Sequence, residues 1–99
     1  MNIYIDAAFD KYSKVAWLGY CNDSMTLTGI KKIKASNINE AELSALCFAI
    51  RKIGADWNFL TDSMSVVNQC ACENVSHVPR LKNLADAVVA IGKENIRNK

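Results

Sequence analysis

Asn39-Glu40-Ala41-Glu42-Leu43-Ser44-Ala45-Leu46-Cys47-Phe48-Ala49-Ile50-Arg51-Lys52-Ile53-Gly54, followed closely by Trp57-Asn58-Phe59-Leu60-Thr61, decides the fold. Apolar residues at 43, 46, 47, 50 and 53 recur at helical spacing, and Gly54 stands where a helix commonly ends. The spacing predicts a helix over 39–54. The run from Trp57 to Thr61 is short and apolar, which suits a buried strand. A right-handed crossover through the helix would lay that strand beside the first one of the chain.

Upstream, residues 2–9, 14–21 and 25–33 read as three strands, the last two separated by the polar link Asn22-Asp23-Ser24, a typical hairpin connection. Downstream, Asp62-Ser63 opens a brief helix through Cys70, residues 75–78 form a strand that Pro79 ends, and 84–96 form a closing helix. The order β-β-β-α-β-α-β-α joins an antiparallel meander to crossover units. An α/β fold with a mixed sheet and helices packed on it is the expected closure.

Composition narrows the classes. The chain has 99 residues, enough for a single domain over 1–99, and its 51% hydrophobic and 22% charged residues are an ordinary globular mixture. Lys and Arg exceed Asp and Glu by 12 to 10, a balance of +2 that announces no partner by itself. The longest apolar run, Ala45 to Ile50, falls far short of the roughly 20 residues a bilayer span needs, so no membrane partner is expected. No secretory leader is visible, and Cys21, Cys47, Cys70 and Cys72 are unevenly spaced, which suits reduced thiols in a cytoplasmic protein. A zinc site of Cys70, Cys72 and His77 is the alternative for the cysteines, although a second spaced pair is missing.

The acids carry the chemistry. At about 100° per residue Glu42 falls near Leu46, Ala49 and Ile53 on the apolar side of its helix, whereas Glu40 aligns with Ser44 and Arg51 on the polar side. A carboxylate at the core boundary loses hydration unless a cation or donor meets it. Asp6 ends the strand Ile3-Tyr4-Ile5, and Asp62 ends Phe59-Leu60-Thr61, so both lie at strand C-termini, where open α/β sheets bind ligands. Helix capping is the plain alternative for Asp62, and a strand-end hydrogen bond that for Asp6. Asp86 projects to the solvent side of the last helix and completes a set of four. Acids gathered without matching cations repel one another unless a hard cation neutralises them, and oxygen-only ligation selects Mg2+ or Mn2+. Such sites suit two-metal phosphodiester hydrolysis.

These motifs resemble those of the ribonuclease H superfamily, most closely its type 1 and plant-type domains. Ile3-Tyr4-Ile5-Asp6-Ala7-Ala8-Phe9 is similar to the first-strand motif, with Ala7-Ala8 in place of the commoner Gly-Ser. Asn39-Glu40-Ala41-Glu42-Leu43 is similar to the helix motif, Thr61-Asp62-Ser63 to the third, and His77-Val78-Pro79-Arg80 with Asn83-Leu84-Ala85-Asp86 to the last, Asn83 standing one residue closer to Asp86 than the pattern has it. The resemblance implies an RNase H-like five-stranded sheet in the order 3-2-1-4-5 with helices on both faces. It implies an endonuclease that hydrolyses the RNA strand of RNA·DNA hybrids with two Mg2+, Mn2+ being a substitute. Asp6, Glu42, Asp62 and Asp86 would be catalytic metal ligands.

Asn39 would contact the hybrid, with Arg80 and Lys82 as further contacts, while the Lys31–Lys34 cluster reads first as a solvated strand edge that discourages aggregation and would contact nucleic acid in a binding module. The stretch between Asp62 and Asp86 leaves no room for the basic handle of many relatives, and His77 reads as a strand residue rather than the flexible histidine that aids product release. So compact a chain would grip a hybrid weakly, and a homodimer or an accessory nucleic-acid-binding partner would extend its groove. Two rival readings stay open: a non-catalytic module binding RNA or hybrid on the same fold, and a nuclease acting on another nucleic-acid structure such as branched DNA.

Overall fold

A computed structural model describes residues 2–69 and 74–97 of the chain. Strands β1 (Asn2–Asp10), β2 (Val15–Asn22) and β3 (Thr28–Lys34) form an antiparallel meander. Helix α1 (Ile38–Ile53) then crosses to β4 (Asn58–Thr61), and α2 (Met64–Gln69) leads to β5 (Val75–His77). A 3-10 turn at Arg80–Lys82 precedes α3 (Ala85–Arg97). The sheet has five strands in the order β3-β2-β1-β4-β5, with β1–β4 and β4–β5 parallel. This is the mixed α/β sheet expected from the element order.

Side chains alternate across a strand, so register decides what each helix covers. Ile3, Ile5 and Ala7 on β1 share a face with Leu18 and Tyr20 on β2, and this face packs in one core with Ala41, Ala45, Leu46, Phe48 and Ala49 of α1. Asp6 and Gly19, which pair across β1 and β2, belong to the other face, and there Gly19 lies against Val88 and Val89 of α3. Helices therefore cover both faces.

Local chemistry fixes the element ends. The Asn37 side chain accepts the Glu40 N–H at 2.8 Å and caps α1. Gly54, at φ 86°, closes the helix by donating its N–H to the Ile50 carbonyl at 2.8 Å. β3 starts at Thr28 rather than 25 because the Asn22 side chain holds the preceding turn, accepting the Leu27 N–H and donating to Thr26 Oγ1. The expected end of the second helix at Cys70, and the reading of Cys70 and Cys72 as zinc ligands with His77, lie outside the described residues. Cys21 is a buried free thiol, Cys47 an exposed one.

The close seat of α3 needs small residues. A Cβ on Gly92 would come within 2.3 Å of the Ile30 side chain. Gly92→Ala should therefore lower the unfolding free energy by about 1–3 kcal/mol in urea denaturation, although alanine is the better helix former. Adding Ile30→Val should recover part of the loss; no loss in Gly92→Ala would mean that α3 sits farther from β3.

Candidate metal centre

β4 is short, and that shortness opens the site. It pairs with β1 only as far as Tyr4–Leu60, and continuing this register by two residues brings Asp62 level with Asp6. Neighbouring parallel strands lie about 4.8 Å apart, so two aspartates at that level meet. Glu42 reaches the same point from the first turns of α1. Carboxylate oxygens of Asp6, Glu42 and Asp62 all lie within 4.8 Å of one another, close enough to bind one metal ion.

Asp62 is free for this role because it does not cap α2. Ser63 does so, its hydroxyl accepting the Val66 N–H at 3.3 Å, while buried Thr61 accepts the Ser63 N–H and shapes the turn. The surrounding cavity, of about 350 Å³, is lined by Asp6, Ala7, Ala8, Phe9, Ile38, Glu42, Asp62, Arg80 and Asp86. Asp86, exposed in the first turn of α3, stands outside the mutual cluster of three but lines the same cavity, and its charge adds to the repulsion that raises the Asp6 carboxyl. Asn39 and Lys82 are exposed on α1 and on the 3-10 turn, and neither lines this cavity.

Burial makes the cluster electrostatically costly. Asp6 and Glu42 are only 6% and 7% exposed. Desolvation, then repulsion by Asp62, pushes the Asp6 carboxyl up to about 7, against a partial pull from the Ala7 N–H. Desolvation, then Asp6 and Asp62, pushes Glu42 up to about 8, with Ala7 and Arg80 pulling the other way. Among the described residues, buried Glu42 Oε2 has no hydrogen-bond partner. A buried acceptor oxygen facing two further carboxylates has the chemistry of a ligand for a hard divalent cation.

Asn83 holds these parts together, and sequence reasoning noted only its spacing. It is 3% exposed; its Nδ2 donates to the Ile5 carbonyl at 2.8 Å and, at 3.5 Å, to Asp62 Oδ2. Its Oδ1 accepts the Ala85 N–H at 3.1 Å and so caps α3. One side chain thus ties β1, the end of β4 and the start of the helix that bears Asp86. An Asn immediately ahead of the last apolar periodic run is a helix-start signal, and that signal was present in the sequence.

No family model matches the chain.

Two outcomes follow for stability. Asn83→Ala removes a cap and leaves a buried carbonyl unpaired, so it should cost about 1–3 kcal/mol in chemical denaturation; a near-neutral result would remove Asn83 from its linking role. The raised carboxyls make the metal-free folded state hold protons that the unfolded chain releases between the ordinary carboxyl range and the folded values of about 7 and 8. Metal-free stability should therefore fall as pH rises from 4 toward 8. Mg2+ binding must displace those protons, so the melting temperature should rise more on adding Mg2+ at pH 8 than at pH 6. Equal Mg2+ effects at both pH values would contradict the cluster as the binding point.

Proposed function

We propose that the chain is a divalent-metal-dependent nuclease of the ribonuclease H type, hydrolysing the RNA strand of RNA·DNA hybrids. The observation that carries this reading is the convergence of Asp6, Glu42 and Asp62 from β1, α1 and the end of β4 on one open cavity, with Glu42 Oε2 unpartnered. The strand order 3-2-1-4-5, expected from the resemblance, supports it further. Asp86 at the cavity rim supplies the fourth acid.

The donor set fits Mg2+, with Mn2+ as a substitute, because it is all oxygen and anionic. Asp6, Glu42 and Asp62 would hold the cation, with Asp86 beside them. When bound, such an ion polarises phosphoryl oxygen and lowers the pKa of water at neutral pH. Water adds to phosphorus, one P–O ester bond breaks, and the leaving oxygen gains a proton. The chain's own part is to exclude alternatives and orient. Asp6 and Glu42, buried where β1 packs on α1, would hold the ion in place, and Asn83 ties Asp62 to β1. Arg80 lines the cavity and offers a cation to the phosphate being cut. The exposed Asn39, next in sequence to the cavity-lining Ile38, and Lys82, on the same 3-10 turn as Arg80, would meet the backbone of the duplex.

A gel assay with labelled RNA·DNA hybrid in Mg2+ or Mn2+, beside RNA duplex, DNA duplex and branched DNA, tests the reading. Wild type should cut the RNA strand of the hybrid. Asp6→Asn should abolish cleavage. Glu42→Gln should lose at least about 100-fold, since even residues that merely orient metal ligands cost about 10–100-fold, while Glu40→Gln on the exposed face should stay near wild type. Hybrid bound but never cut would leave a binding module; preferential cutting of branched DNA would move the substrate.

A further inference from the structure

A second concavity lies apart from the acids. A trough of about 580 Å³ runs between β3 and α1, lined among others by Lys31, Ser44, Cys47, Phe48, Arg51 and Lys52. Positions 44, 47, 48, 51 and 52 are spaced as one helical stripe, which on a packed helix would be apolar. Here the stripe leaves α1 toward the sheet edge and carries two cations. Lys31 faces it from β3, on the α1 side of the sheet because it pairs with Leu18, and its Nζ lies 6.0 Å from the centre of the Phe48 ring. No acid lines the trough, and among the described residues no carboxylate pairs with Lys31, Arg51 or Lys52.

Each cation alone has an ordinary explanation. Lysines on an edge strand discourage aggregation, and Arg51 and Lys52 in the last turn of α1 complement its dipole. Neither explanation gathers three like charges around one hollow, where they repel unless an anion sits between them. The positions relative to the acids are also specific. Lys31 lies in the same ladder row as Ala7, two strands away, or about 10 Å. Arg51 follows Glu42 by nine residues, about 14 Å along the helix axis. At about 3.4 Å of rise per nucleotide, both distances correspond to roughly three or four nucleotides.

Resting on the nuclease reading of the acidic centre, we propose that the trough between β3 and α1 binds backbone phosphate of the same nucleic acid, three or four nucleotides from the carboxylates. It supplies grip that the acidic cavity cannot. The four acids there repel phosphate, and among the described residues Arg80 is the one Lys or Arg in their lining, so further cationic grip must come from elsewhere on the chain. Phosphate contacts of this kind set affinity and register and carry no sequence preference.

Two measurements test it, both independent of catalysis. In the Asp62→Asn background with Mg2+, anisotropy of a labelled hybrid across a salt series should show Lys31→Glu and Arg51→Glu each binding several-fold more weakly. Each should also flatten the salt slope by about 1. In wild type, alkylation of Cys47 by iodoacetamide, read at the peptide level by mass spectrometry, should slow several-fold when hybrid is bound. Inorganic phosphate at millimolar concentration should leave it unchanged. Unaltered affinity and slope in both variants, or Cys47 equally reactive with and without bound hybrid, would overturn the proposal. Protection by inorganic phosphate alone would overturn it in favour of a free-anion site. Failure of the nuclease reading would look different: wild type would cut no substrate while the trough variants still lost affinity.

Discussion

Asp6, Glu42 and Asp62 stand with their oxygens within 4.8 Å of one another, and the first two are almost closed off from water. Like charges so placed repel strongly at the low effective dielectric of a protein interior, and the nearby Ala7 N–H and Arg80 offset only part of this. Without a cation the fold answers by retaining protons, which is why Asp6 and Glu42 sit near 7 and 8. A divalent ion answers the same constraint by charge. The rest of the architecture can be understood as the frame that keeps the three carboxylates from moving apart.

That frame is built from pairings distant in sequence. Parallel β1–β4 register sets Asp62 level with Asp6, and packing of α1 on Ile3, Ile5 and Leu18 sets Glu42. Asn83 closes the third side by joining the Ile5 carbonyl, Asp62 and the first N–H of α3. Each contact comes from a different element, so none of the acids can relax without disturbing a strand or a helix end. Charge is sorted along with geometry: acids occupy the notch beside β1, and the cations of β3 and the last turn of α1 occupy the trough on the other flank of the helix. A polyanion spanning both would meet metal at one end and lysine and arginine at the other.

Much of this was legible in the sequence because it rests on local periodicity. The helical recurrence through 43, 46, 50 and 53 placed α1, and the projection that put Glu42 on its apolar side and Glu40 on its polar side agrees with one being buried and the other exposed. Crossover handedness placed β4 beside β1, whereas the full strand order was implied only by the family resemblance. What stayed illegible depends on register and on side-chain capping. Nothing local says that β4 stops pairing at Leu60, or that Ser63 rather than Asp62 caps α2. Asn83 reads as spacing in one dimension and as a three-way clamp in three. The stripe at 44, 47, 48, 51 and 52 mixes polar and apolar residues in sequence, and becomes a hollow only when Lys31 is brought opposite it by the β2–β3 register.

The claim at the centre of this account is that the three carboxylates are ligands to one hard cation. Anomalous diffraction from a crystal of the wild-type protein equilibrated with Mn2+ near pH 8 addresses it most directly. The account predicts a peak about 2.1 Å from oxygens of Asp6, Glu42 and Asp62, a distance close to that of Mg2+–oxygen bonds. A map with manganese bound elsewhere and these carboxylates still bare would contradict it.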